Sequence, residues 1–92
     1  MMNNTKVAVE SLSMDLLRVA LGYHRGSVGM AERFTDEALK RRDEINLSLV
    51  KPYFKKILNM LPSILLEKDK DRIAEDALLY SILCKNYAKK FL

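Results

Sequence analysis

Apolar residues recur every three or four positions along almost the whole chain, and clean alternation of apolar and polar residues is hard to find. That periodicity commits the chain to helices. Three glycines and two prolines in 92 residues also leave too little turn chemistry for a many-stranded β fold. An apolar fraction of 49% is too high for a disordered chain, and the length suits one domain near the lower end of what a single core stabilises unaided. One cysteine excludes an intramolecular disulfide framework and a multi-cysteine zinc site.

The pattern predicts helices over about residues 5–22, 28–46, 49–66 and 70–91. In the first, Val9, Leu12, Leu16, Ala20 and Tyr23 advance by three or four. In the last, Ile73, Ala77, Tyr80, Cys84, Tyr87 and Phe91 form one narrow stripe. Asp69 or Asp71 can cap this last helix, and Lys85, Lys89 and Lys90 suit the negative end of its dipole. Between them, Pro52 fits the first turn of the third helix, where a missing N–H costs least. Pro62 removes a hydrogen bond to Leu58 and is expected to kink or end that helix. Its apolar residues, from Val50 to Leu65, cover close to half the circumference, enough for more than one neighbouring helix.

The segment Gly22-Tyr23-His24-Arg25-Gly26-Ser27-Val28-Gly29 admits two readings. Three glycines in eight residues are strong punctuation for a loop. Yet the apolar stripe continues in phase through Ser27, Met30, Phe34, Ala38 and Ile45, as it would on one unbroken helix. On such a helix Gly22, Gly26 and Gly29 share a face that lets another backbone approach closely, and they form a helix-packing or dimer face. A continuous helix from Val9 to Ile45 would be about 55 Å long. A 92-residue domain has a radius of gyration of only about 12 Å, so that helix would need a second chain to cover it.

The net charge of +4 is unevenly placed. Residues 1–46 carry seven basic and seven acidic side chains, whereas residues 47–92 carry nine and five. Within the second half, Lys51, Lys55 and Lys56 form one set without acids, and Lys85, Lys89 and Lys90 another. If the third and fourth helices bring these sets together, six lysines would track a phosphate backbone by counterion release. The alternative is that they complement a helix dipole and solubilise an apolar helix. The N-terminus lacks the apolar region of a signal peptide, and no run approaches the roughly 18–20 apolar residues that span a bilayer. A cytoplasmic protein without membrane contact is the expectation.

Chemistry-bearing constellations are sparse. The only histidine, His24, follows Arg18 with five residues between. The spacing Arg18-x5-His24 resembles the arginine-to-histidine motif of the HEPN helical domains, some of which are ribonucleases. The resemblance implies His24 as general acid or base and Arg18 as the group that stabilises phosphate charge. It departs from the family in standing on the first helix and in having Val19 after the arginine. Cys84 lies on an apolar stripe, where a free cysteine behaves as a small hydrophobe. Asp36–Lys40 and Glu37–Arg41 are i,i+4 pairs of a solvated face. No metal ligand set and no cofactor-binding motif is present, since one histidine without paired Glu-x-x-His rules out a di-iron bundle.

The fold expected is therefore all-α, a three- or four-helix antiparallel bundle completed by homodimerisation. The leading function is a small, non-enzymatic helical interaction or assembly module. The alternatives are a basic bundle contacting nucleic acid through Lys51, Lys55, Lys56, Lys85, Lys89 and Lys90, and a HEPN-like ribonuclease built on Arg18 and His24.

Overall fold

In the computed structural model, which describes residues 4–92, the chain forms four α-helices: α1 (Asn4–His24), α2 (Val28–Asp43), α3 (Pro52–Leu65) and α4 (Lys70–Phe91). A single 3-10 turn, Leu47–Leu49, lies between α2 and α3. Each helix packs against the next in sequence, and α4 returns to α1, which closes the ring of a four-helix bundle. The residues that meet run in opposite directions along each neighbouring pair, as in Ser13 with Ser81 and Tyr53 with Tyr87.

The glycine segment is a turn, which corrects the continuous-helix reading. Gly26 adopts φ +73°, the left-handed region that only glycine occupies cheaply. Its N–H bonds to the Tyr23 carbonyl at 3.2 Å, and the Ser27 N–H bonds to the Gly22 carbonyl at 2.8 Å, a complete Schellman stop. The molecule is 39 Å in its longest dimension, shorter than the single helix would have been. Nor do the glycines share a face. Gly22 is buried in α1 against α2, Gly26 makes the turn, and Gly29 is exposed in the first turn of α2. The turn also breaks the phase of the apolar stripe: Ala31, Thr35 and Ala38 face inward on α2, while Met30 and Phe34 are only half-buried.

Two seams of small residues let α1 lie close to both neighbours. On the α2 side, a Cβ at Gly22 would stand 2.8 Å from the Ala31 nitrogen and 2.9 Å from its Cβ, so hydrogen alone fits there. On the α4 side, the inward residues are Ala74, Ala77, Ser81, Cys84 and Ala88, all buried. At their centre the Ser13 hydroxyl donates to the Ser81 carbonyl (2.8 Å) and the Ser81 hydroxyl donates to the Ser13 carbonyl (2.9 Å). These reciprocal bonds satisfy two hydroxyls that burial would otherwise leave without partners.

α3 is held by larger side chains. Phe54, Leu58, Leu61 and Leu65 fill the core, and Phe54 stacks on Tyr87 with ring centroids 4.0 Å apart. Pro62 does not end the helix, which continues to Leu65. Proline has no N–H to offer Leu58, and the freed carbonyl accepts instead from Arg42 Nε of α2 at 2.6 Å. Arg42 Nη2 also donates to Asn59 Oδ1 at 3.2 Å. The gap that proline opens in one helix thus docks its neighbour. The second and third helices are shorter than their periodicity predicts, because Asn46 accepts the Ser48 N–H and forms the 3-10 turn between them. Asp69, of the two candidate caps, accepts the N–H groups of Asp71 and Arg72 and starts α4.

Gly22→Ala drives a methyl group into backbone atoms of α2 and is expected to cost about 1–3 kcal/mol. Gly29→Ala, with nothing within 4 Å of the added methyl group, stays within about 0.5 kcal/mol of wild type. Urea titrations of the two variants check the contrast.

Candidate interaction surface

Apolar residues are left outside along the whole bundle, including Leu49, Tyr53, Met60 and Leu66 on and beside α3, but they stand closest together in sequence on α4. Leu78, Leu79 and Ile82 of α4 are 40%, 51% and 48% exposed, and Val7 and Met14 of α1 are exposed to a similar degree. The cause is local sequence. From Ala77 to Cys84 only Ser81 is polar without an aromatic or aliphatic body, so α4 is apolar on every side there. It has one flank against α1 and one against α3, and no third helix covers its back. Sequence reasoning, by following the single stripe from Ile73 to Phe91, passes over Leu78, Leu79 and Ile82. The signal that would find them is the run that is apolar all round.

Two grooves border this strip. One, about 430 Å³, lies between α1 and α4, floored by Ser13, Ser81, Met14 and Leu17 and flanked by Lys6, Glu10, Lys85 and Lys89. The other, about 440 Å³, lies between α3 and α4 beside Met60, Ile64, Leu79 and Tyr80. Both are open troughs along helix pairs, the shape that accepts another helix.

The six lysines do not make one patch. Lys51 and Lys90 converge on Phe91, their Nζ atoms 4.7 and 5.3 Å from its ring centre. The Tyr87 hydroxyl accepts from the Lys51 N–H at 3.0 Å, which ties the start of α3 to the end of α4. Lys55 and Lys56 stand further along α3, the first half-buried and the second exposed. Lys85 and Lys89 are on the other flank of α4, in the groove with α1. Tyr53 is half-exposed beside Phe91, whereas Tyr87 is buried.

Arg18 and His24 do not converge either. Arg18 turns toward α2, 3.6 Å from Asp15 and 5.2 Å from the Phe34 ring centre. His24 sits at the end of α1, in a hollow with Asp71 and Glu75 of α4. Cys84 is fully buried, and burial pushes its thiol up to about 12, so it is no nucleophile at neutral pH. Among the described residues no group of three or more His, Cys, Asp and Glu side chains is gathered to hold a metal ion.

The most unusual electrostatic feature is Asp15, buried between α1 and α2. Arg41 Nε lies 3.8 Å from its Oδ2, too far for a hydrogen bond, and both atoms are buried without a hydrogen-bond partner. Burial raises the Asp15 pKa above the usual 3.8, against the smaller opposing pull of Arg41 and Arg18. A carboxyl whose folded pKa lies above its unfolded one contributes stability at low pH and loses it as pH rises through the folded value. Asp15→Asn removes that loss. Relative to wild type, the variant gains thermal stability as pH rises from about 4 toward neutrality, measured by melting across that range.

In the described residues no helix is long and apolar enough to cross a membrane. No family model, no curated protein and no solved structure matches the chain.

Proposed function

We propose that this protein is a non-enzymatic helical assembly module that works as a homodimer, with the outer face of α4 and the adjoining face of α1 as its contact surface. The observation that carries the reading is the exposure of Leu78, Leu79 and Ile82 within little more than one turn of α4. A bundle this small gains stability by sharing apolar surface with a second chain, at about 25 cal/mol per Å² removed from water. The polar groups that would be needed for catalysis are dispersed, with Arg18 on the α2 side of α1 and His24 at its end. The reading assigns the module to the cytoplasm, where a lone reduced cysteine such as Cys84 is stable.

Sedimentation equilibrium tests this. Wild type is expected to show reversible dimerisation at micromolar concentration. Ile82→Lys, at an exposed position, is expected to keep its helical circular dichroism while weakening the dimer about thirtyfold or more. A wild-type chain that stays monomeric throughout that range overturns the proposal.

A second reading rests on Lys51, Lys90, Phe91 and Tyr53, where two cations and two partly exposed rings meet at one end of the bundle. That combination suits a single-stranded nucleic acid, whose bases stack and whose phosphates pair with lysine. Affinity for a single-stranded oligonucleotide should then fall with salt at a log–log slope of about −0.7 per phosphate contact. The double variant Lys51→Ala, Lys90→Ala should flatten that slope by about 1.4 if both lysines contact phosphates. Binding that ignores salt excludes this reading.

A further inference from the structure

One line of residues on α4, next to the seam that packs on α1, reads Asp71, Glu75, Leu78, Ile82, Lys85, Lys89. The steps of four, three, four, three and four keep all six on one stripe of the helix, the spacing of a coiled-coil seam. All six are exposed. None of the four charged members takes part in the ion pairs that join Asp15 to Arg18 and Arg41, Arg41 to Glu44, and Arg42 to Asp43. The order is its own complement when reversed. Acid stands where lysine stands from the other end, and apolar stands against apolar.

The neighbouring helix adds apolar surface at the middle of the stripe and one charge of each sign at its lysine end. Ser13 marks the level of Ser81, so Met14 and Leu17 of α1 widen the apolar centre of the stripe, and Lys6 flanks its lysine end with Glu10 beside it. The order of acidic end, apolar middle and basic end belongs to α4 alone, with His24 of α1 beside Asp71 and Glu75.

Resting on the assembly reading above, we infer that two copies of this chain pair antiparallel through the α4 stripe, about a two-fold axis at the level of Tyr80. Asp71 then lies opposite Lys89 of the second copy, Glu75 opposite its Lys85, and Leu78 opposite its Ile82. A two-fold axis perpendicular to a helix lays its sequence against the reverse of itself. A charge palindrome is what that operation requires; the helix dipole also favours acids at the start and lysines at the end, but it does not call for Leu78 and Ile82 exposed in register between them. Parallel pairing would set acid on acid and lysine on lysine along the whole stripe, which is unfavourable.

The test is charge reversal on the full chain, read as the dimer dissociation constant by sedimentation equilibrium. Each reversal is felt twice in a two-fold dimer, so Glu75→Lys and Lys85→Glu should each weaken it about tenfold. The double variant, which restores opposite charges across the axis, should return to within about threefold of wild type. Both positions are exposed, and the double variant carries whatever each change does to the helix itself, so recovery isolates the pairing. A wild-type dimer indifferent to both single reversals overturns the antiparallel pairing and leaves the assembly reading standing. Single reversals that weaken the dimer without rescue in the double variant also overturn it. A wild-type monomer overturns both.

Discussion

The close contact of α1 with α4 is the constraint on which the arrangement depends. Ala74, Ala77, Ser81, Cys84 and Ala88 present so little side chain that α1 lies directly on α4, and the Ser13–Ser81 hydroxyls exchange hydrogen bonds with each other's backbone. Because small residues occupy that flank, the large apolar residues of α4 are distributed elsewhere. Ile73 and Tyr87 serve the core, and Leu78, Leu79 and Ile82 are left outside. The exposed strip follows from the same helix that makes the tightest seam. Packing inward with small residues and outward with large ones is costly for a lone bundle and natural for a paired one.

The other side of the bundle is built on a different principle. α3 has no small-residue seam, so it is spaced by Phe54, Leu58, Leu61 and Leu65 and fastened at two points. One is the Leu58 carbonyl that Pro62 leaves open and Arg42 fills. The other is the aromatic cluster of Phe54, Tyr87, Tyr53 and Phe91, where the Tyr87 hydroxyl also accepts from the start of α3. A charged donor on a buried carbonyl is among the stronger hydrogen bonds available to a protein. A proline inside a helix, ordinarily a defect, here supplies the acceptor.

Much of the bundle was legible one helix at a time. The spacing of Val9, Leu12, Leu16 and Ala20 identifies the buried side of α1, Asp69 identifies the start of α4, and Pro52 the first turn of α3. The missing hydrogen bond at Leu58 was also visible, since Pro62 states it. What filled it was not, because Arg42 lies sixteen positions away on another helix. The candidate surface was less legible. Its lysines stand out as two sets, but whether they adjoin depends on where α3 meets α4. The residues most concerned, Leu78 and Ile82, read as ordinary apolar positions of a helix.

The sequence by itself determined the helical class, the approximate elements and the order of charges along each of them, because those depend on neighbours three and four residues apart. Tertiary structure alone decided the rest. It chose the turn at Gly26 over an unbroken helix, because the α1–α2 contact at Gly22 and Ala31 needs the chain to reverse there. It divided the second lysine set, placing Lys85 and Lys89 in the groove with α1 and Lys90 over Phe91, where Lys51 from the start of α3 joins it. And it selected which side of an all-round apolar helix faces outward: periodicity can show that α4 is apolar on every side, but only the positions of α1 and α3 leave Leu78, Leu79 and Ile82 in solvent.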